Sequence, residues 1–207
     1  ALIEGWRAAG IDFSQAVVIR PSGTPVDGLR TIAGFPDDAP PLRCVLGFKP
    51  QKLREIAPDL EPRLSARTVL VSMLAGVEAA TLRGLFPSVQ SVVRIMPTLP
   101  VGNRRGVTAL FSPDADAELR RRIQGLFGLL GLAVWTDREA ELAAVGAVAG
   151  AGPAYVSRFI AALAKAGEAR GLHPEQAARI ALETVMGTAA MAEARDESMA
   201  DIARRVA

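Results

Sequence analysis

The feature that most constrains this chain is a change of texture near Asp137. Before it, short apolar runs alternate with helix-like segments; after it, only helical periodicity remains. The strand-like runs are AVVIR (16–20), RCVLGF (43–48), TVLVSML (68–74), SVVRIM (91–96), GVTALF (106–111) and LAVWT (132–136). Several are near-continuous rather than alternating, the pattern of parallel strands covered on both faces. Between them, 50–57, 77–86 and 115–130 read as helices, after an opening amphipathic helix over 1–10 with Gly10 as its C-terminal cap. The alternation predicts an α/β doubly wound sheet over 1–137. Beyond it, Tyr155, Phe159, Leu163 and Ala166 recur at helical spacing, as do Ala177, Ile180 or Ala181, Val185 and Ala189. Pro174 marks a helix start. Residues 138–207 are therefore expected to form a small all-α domain.

Composition removes several classes of function. Half of the 207 residues are hydrophobic, which supports a sizeable core. The one cysteine, Cys44, excludes an internal disulfide framework and reads as an inert thiol in an apolar run, consistent with a reducing, cytoplasmic setting. A formal charge of +2, with arginines scattered among acids, argues against a nucleic-acid partner. Glu4 and Arg7 interrupt any signal-peptide pattern. The run 142–154 is short and rich in Ala and Gly, so no membrane partner is expected. No cluster has metal-ligand spacing, and no nucleophile–base pair stands out, so no metal is expected and no catalytic residue is singled out. His173 reads as a helix cap or surface residue, Trp6 and Trp135 as fillers between layers, and Glu183 and Asp196 as solvated.

The stretch GAVAGAGPAYVSRF (146–159) places little side-chain volume before a helix. Three readings are available: a phosphate loop, close backbone packing, or a pocket wall. It emerges from a helical pattern rather than a strand, which argues against the first. Gly150, Ala151 and Gly152 permit close approach of a neighbour, and Pro153 suits a first helical turn. The alanine-bearing helices that follow need partners on more than one side, which suggests a dimer.

AVAGAGPAYVSRFIAALAKAGEARGL (147–172) resembles the signature of the pyrroline-5-carboxylate reductase family. VLGFKPQKL (45–53), VSMLAGV (71–77) and RIMPTLPVGNRRGVTALF (94–111) agree with it in order and spacing. The resemblance implies a Rossmann-like domain followed by an all-helical dimerisation domain. It implies hydride transfer from NADPH, with NAD the other candidate, to the ring C=N bond of 1-pyrroline-5-carboxylate, giving proline. A homodimer or higher homo-oligomer with a cyclic imine substrate is the expected assembly. Two alternatives stay open: a diverged paralogue acting on another cyclic imine, and a non-catalytic dimeric nucleotide-binding protein. In the family, a glycine-rich pyrophosphate turn precedes a helix like ALIEGW, and a threonine-rich turn follows a position beyond Ala207. Both are expected to lie outside this sequence.

Carried over residue by residue, the cofactor contacts are Gly47, Phe48, Lys49 and Pro50 after one strand, Ala75 and Gly76 after the next, and Met96, Pro97 and Thr98 after a third. Arg20 and Ser22 stand where NAD-preferring sites carry an acid, and a guanidinium there accommodates a 2′-phosphate. Lys49 as a plain surface lysine, and Arg20 as a strand-ending arginine, remain the other readings. In the family the substrate pocket lies where the helical domain meets the cofactor cleft. Ala151, Gly152, Pro153, Ala154 and Tyr155 match its substrate side, where free helix N–H groups would favour a carboxylate. The chain departs from the family where Gly146, Ala149 and Ala151 replace hydroxyl residues, where Pro97 replaces an asparagine before Thr98, where Ala161 and Lys165 replace acids, and near Met199, where a proline is usual.

Overall fold

The computed structural model describes residues 1–207 apart from Asp37, Asp38, Asp196 and Ala207. The expectation for Asp196 lies outside the described residues. The chain divides into two compact units, Ala1–Gly150 and Ala151–Ala207. The division falls later than residue 137 because Leu142, on the helix α5 (Glu141–Val145), is buried in the first unit.

In the first unit, α1 (Leu2–Ala8) ends as its sequence predicts. Gly10, at φ +84, and Ile11 return their N–H groups to the carbonyls of Arg7 and Trp6. Strands β1 (Val17–Ile19) and β2 (Arg30–Ile32) form a two-stranded parallel sheet. The second sheet has five strands in the order β3 (Arg43–Leu46), β4 (Val69–Ser72), β5 (Ser91–Pro97), β6 (Gly106–Phe111) and β7 (Gly131–Trp135). The helices α2 (Leu53–Leu60), α3 (Ala79–Leu85) and α4 (Ala117–Gly128) are the crossovers between parallel neighbours.

One difference from a purely parallel sheet is the reversal of β6, which runs antiparallel to β5. Only a short 3-10 turn, Leu99–Asn103, separates the two strands. A parallel return needs a crossover of a dozen residues or more. β2 went unanticipated because Ile32 is the one apolar residue among its three, whereas all three of β1 are apolar.

Alternation along the central strands builds a core on each face. Val69, Val71, Val93 and Ile95 meet Trp6 of α1 and Leu119, Ile123 and Phe127 of α4. Leu46, Leu70 and Val92 meet Leu53, Ala57 and Leu60 of α2 and Ala79, Leu82 and Phe86. Trp6 fills the gap between layers as expected; its Nε1 donates to the Leu126 carbonyl at 2.7 Å and its ring meets Phe127 edge-on. Trp135 packs at the rim of the first core under the Arg120 guanidinium.

At the amino end of β5, Asp114 gathers four donors. Its Oδ1 accepts from Ser91 Oγ at 2.6 Å, Ser112 Oγ at 3.0 Å and Val92 N at 3.2 Å, and Oδ2 accepts from Arg83. Burial pushes the carboxyl pKa upward, but the bonds from Ser91, Arg83 and Ser112 outweigh it and hold the group below its ordinary value. A carboxylate depressed on folding stabilises the native state above its unfolded pKa and loses that contribution as pH falls through the folded value. Asp114→Asn should therefore cost about 1–3 kcal/mol at neutral pH, with the gap to the parent narrowing below about pH 4. Thermal melts of both proteins across that range check this.

The second unit contains α6 (Gly152–Glu168), α7 (Pro174–Arg195) and α8 (Met199–Val206). α7 opens at Pro174 with the His173 carbonyl accepting from Ala177 N, which gives His173 its place at the helix start. Few apolar side chains among the described residues of this unit are buried: Ala164, Ala177, Ala181 and Ile202. Tyr155, Val156, Phe159, Ile180, Leu182 and Met186 are exposed. The helical run is longer than the expected 142–154. α5, a π-helical turn over Gly146–Gly150 and α6 join into one run, Glu141–Glu168, long and apolar enough by length and composition to cross a membrane. Pro153 does not stop it, because it stands at the first turn of α6, where its missing N–H costs little.

Candidate functional site

Three parallel strands bring the expected cofactor residues to one edge of the sheet. β3, β4 and β5 run in the same direction, so their carboxyl ends lie side by side. Gly47, Phe48, Lys49 and Pro50 follow β3, Ala75 and Gly76 follow β4, and Met96, Pro97 and Thr98 end or follow β5. Open α/β sheets bind ligands at this edge. Lys49 is exposed, as are Ala75 and Gly76. A Cβ at Gly76 would meet nothing within 4 Å, so the turn leaves open space beside its backbone. Met73 ties two of these ends together: its N–H donates to the Leu46 carbonyl, and its sulfur lies 3.8 Å from where a Gly47 Cβ would stand.

Thr98 is committed to the fold as well as available to a ligand. Its Oγ1 accepts from Val107 N at 2.9 Å and its own N–H donates to the Val107 carbonyl, pinning the antiparallel return. The hydroxyl proton remains free to donate outward.

The segment after β1 folds into a compact polar turn. Ser22 Oγ lies 3.0 Å from Thr24 Oγ1, the Arg20 Nη1 reaches the Thr24 carbonyl at 3.5 Å, and Arg20 N donates to the Ile32 carbonyl. All three side chains are exposed. Thr24 was missed in the sequence; its signal was its place two residues after Ser22 across a glycine. Arg7 of α1 secures the far side of this loop by donating to the Asp27 carbonyl at 2.6 Å.

The stretch before α6 differs from expectation in one respect. At Gly150 and Gly152 a Cβ would meet nothing within 4 Å, so close approach within this chain occurs elsewhere. It occurs at Gly146, where a Cβ would fall 2.3 Å from the Met96 sulfur. Any side chain at that position would displace Met96, so glycine there has a packing reason. α6 begins at Gly152, as expected, and Ala154 N and Tyr155 N make its first bonds, to the Ala151 carbonyl. Of the expected substrate residues, Ala151, Gly152 and Pro153 are half-buried, while Ala154 and Tyr155 are exposed.

Burial pushes the Cys44 thiol up to about 11, which keeps it protonated and unreactive at neutral pH. Among the described residues, no group of three or more His, Cys, Asp or Glu side chains could hold a metal ion. Lys165 and Glu183 are exposed. A pair that sequence reasoning missed is Arg94 and Glu139, joined at 2.7 Å beside the β4–α3 turn. Their separation along the chain left no periodic signal.

Comparison with known proteins identifies the family. Residues 139–207 match the family model for pyrroline-5-carboxylate reductase dimerisation. The pyrroline-5-carboxylate reductase of Pseudomonas aeruginosa is 34% identical over 217 residues, covering 100% of this chain and 78% of that protein. That of Haemophilus influenzae is 32% identical over 148 residues, covering 71% of this chain and 55% of that protein, so against it the chain spans about half the relative's length. Among solved structures, a pyrroline-5-carboxylate reductase from Coxiella burnetii superposes with a TM-score of 0.85 at 25% identity, covering 100% of this chain and 80% of that one. The Plasmodium falciparum pyrroline carboxylate reductase, solved with NADP bound, superposes at 0.79 and 21% identity over 100% of this chain and 79% of its own, a likeness of fold. With 34% identity extending over its whole length, this chain belongs to the pyrroline-5-carboxylate reductase family.

Proposed function

We propose that this protein reduces 1-pyrroline-5-carboxylate to proline with NADPH, as a cytoplasmic homodimer or higher homo-oligomer. The observation that carries the reading is the convergence of the β3, β4 and β5 carboxyl ends, with an open turn at Ala75 and Gly76, in a chain of this family. The nicotinamide supplies a hydride to the imine carbon of the substrate. The protein's part is to bind and orient. Gly47, Phe48, Lys49 and Pro50, with Ala75, Gly76, Met96, Pro97 and Thr98, would hold the dinucleotide along the sheet edge. Arg20 would pair with the 2′-phosphate through its planar donor fork, assisted by the hydroxyls of Ser22 and Thr24. Ala151, Gly152, Pro153, Ala154 and Tyr155 are proposed to contact the substrate. No side chain is assigned a proton-transfer role.

The exposed apolar residues of α6 and α7 are read as the subunit interface. The match of 139–207 to a dimerisation model favours this over a membrane span for the run Glu141–Glu168, as do Arg158 and Lys165 within α6.

The test is steady-state reduction of 1-pyrroline-5-carboxylate by full-length protein, followed by loss of NADPH absorbance. Turnover with NADPH is expected, and Arg20→Ala should raise the KM for NADPH roughly ten- to hundredfold while leaving NADH nearly unchanged. Equal losses for both cofactors would remove Arg20 from the phosphate site. Binding of NADPH without reduction of any cyclic imine would favour the non-catalytic reading.

A further inference from the structure

We propose that Glu139 and Arg94 are positioning residues: together they set the Ala75–Gly76 turn against the cofactor without touching it. The inference rests on the assignment of that turn to the dinucleotide.

One carboxylate oxygen holds two elements. Glu139 Oε1 accepts from Arg94 Nη1 at 2.7 Å and from Ala79 N at 2.7 Å. Arg94 stands on the central strand β5 and is 9% exposed. A guanidinium so buried is costly unless it is paired. Ala79 is the first residue of α3, and its N–H belongs to the group of donors that a helix cannot satisfy internally. The residue before it, Glu78, makes no side-chain capping bond. Glu139, sixty residues further along the chain, takes over as the cap.

The link from β4 to α3 is short and passes through Ala75 and Gly76. Its near end is fixed where Met73 N donates to the Leu46 carbonyl, and its middle where Val77 N donates to the Leu74 carbonyl. Its far end is fixed by Glu139. Releasing that end frees the start of α3 and lets the turn shift. Loss of alignment at a binding turn weakens ligand contacts without altering their chemistry.

The same strand provides a control. Arg94 stands at the middle of β5 and Asp114 binds its amino end, and Asp114 has no predicted cofactor residue among its partners. A purely structural carboxylate at Glu139 would behave like Asp114.

The experiment compares full-length parent, Glu139→Ala, Glu139→Asp, Asp114→Asn and Ala75→Asp by thermal melting and by steady-state kinetics with varied NADPH. Glu139→Ala is expected to raise the KM for NADPH about tenfold, with kcat within about twofold. Glu139→Asp keeps the charge but is one methylene shorter and cannot span both donors; a rise of about threefold is expected, and it serves alone if Glu139→Ala does not fold. Asp114→Asn should lower the melting temperature with the KM unchanged. Ala75→Asp, an exposed change, should weaken NADPH by charge repulsion. If the Glu139 variants melt lower yet keep the parental KM while Ala75→Asp weakens NADPH, the pair is structural and the proposal falls alone. If Ala75→Asp also leaves NADPH unaffected, the turn is not at the cofactor, and the site assignment falls with it.

Discussion

Replacing Gly131 by alanine should lower the melting temperature of the first unit by roughly 6–12 °C, or about 3 kcal/mol. Gly131 opens β7 at φ +127, where an L side chain is strained whatever space surrounds it. Space is lacking as well. A Cβ there would stand 2.2 Å from the Gly106 carbonyl oxygen and 2.7 Å from its nitrogen, and both belong to the paired backbone of β6. Backbone cannot rotate aside as a side chain can, so the two strands must separate locally. Overpacking of this kind costs about 1–3 kcal/mol and the dihedral strain a similar amount. Against a total stability of about 5–15 kcal/mol, that is a large share. Gly125→Ala in α4 is the counterpart. Nothing lies within 4 Å of its Cβ position, and a helix-interior glycine is conformationally costly, so about 0.5–1 kcal/mol of added stability is expected. Differential scanning calorimetry of the two variants measures both signs. A Gly131→Ala protein that melts with the parent would show that β6 and β7 separate more easily than their hydrogen bonding implies.

Phe159→Glu is expected to convert the assembly to monomers at micromolar concentration. Phe159 is 61% exposed and Tyr155, one turn before it on α6, is 70% exposed, whereas the buried positions of this unit are mostly alanines. A helix cannot hold large aromatic side chains in water and bury only small ones unless another surface covers it. Aromatic anchors dominate such interfaces, and losing one costs about 2 kcal/mol or more, which is roughly a thirtyfold weakening. A charge placed in the same position adds desolvation. Sedimentation velocity or light scattering over a dilution series would read the shift. A variant that stays dimeric at every concentration would move the interface to another face of the helices.

The fold was legible where the physics is local. Apolar runs marked six of the seven strands among the described residues, most plainly β4 and β5, where burial on both faces leaves no polar alternation. Gly10 and Pro174 marked helix ends through backbone rules that depend on one residue each. The reversal of β6 was also present in the sequence, since no helix separates 91–96 from 106–111, but the strand pattern alone suggested a parallel neighbour. The turn Arg20–Thr24 was half visible: Arg20 and Ser22 stood out by type, while Thr24 joined them only once the chain had bent. Two features could not be read in advance. The Glu139 bonds cross 45 and 60 residues, and the fit of Gly146 under Met96 depends on which segment is laid against β5. Tertiary proximity of that kind has no period. The helix start expected at Gly152 and Pro153 is where α6 begins, and the helical pattern read before it is a π-helical turn over Gly146–Gly150.

The two ends of β5 are built for different tasks, and this bears on how such a protein can diverge. At the amino end, Ser91 and Val92 are locked by Asp114 into a network with Ser112 and Arg83. At the carboxyl end, Met96 and Pro97 run into half-buried chain held by Thr98 against Val107, and the turn at Ala75 and Gly76 is exposed. Changes at the first end fall on stability, where selection tolerates little. Changes at the second fall on what is bound. Residues along that margin can therefore change with less effect on the fold than residues around Asp114.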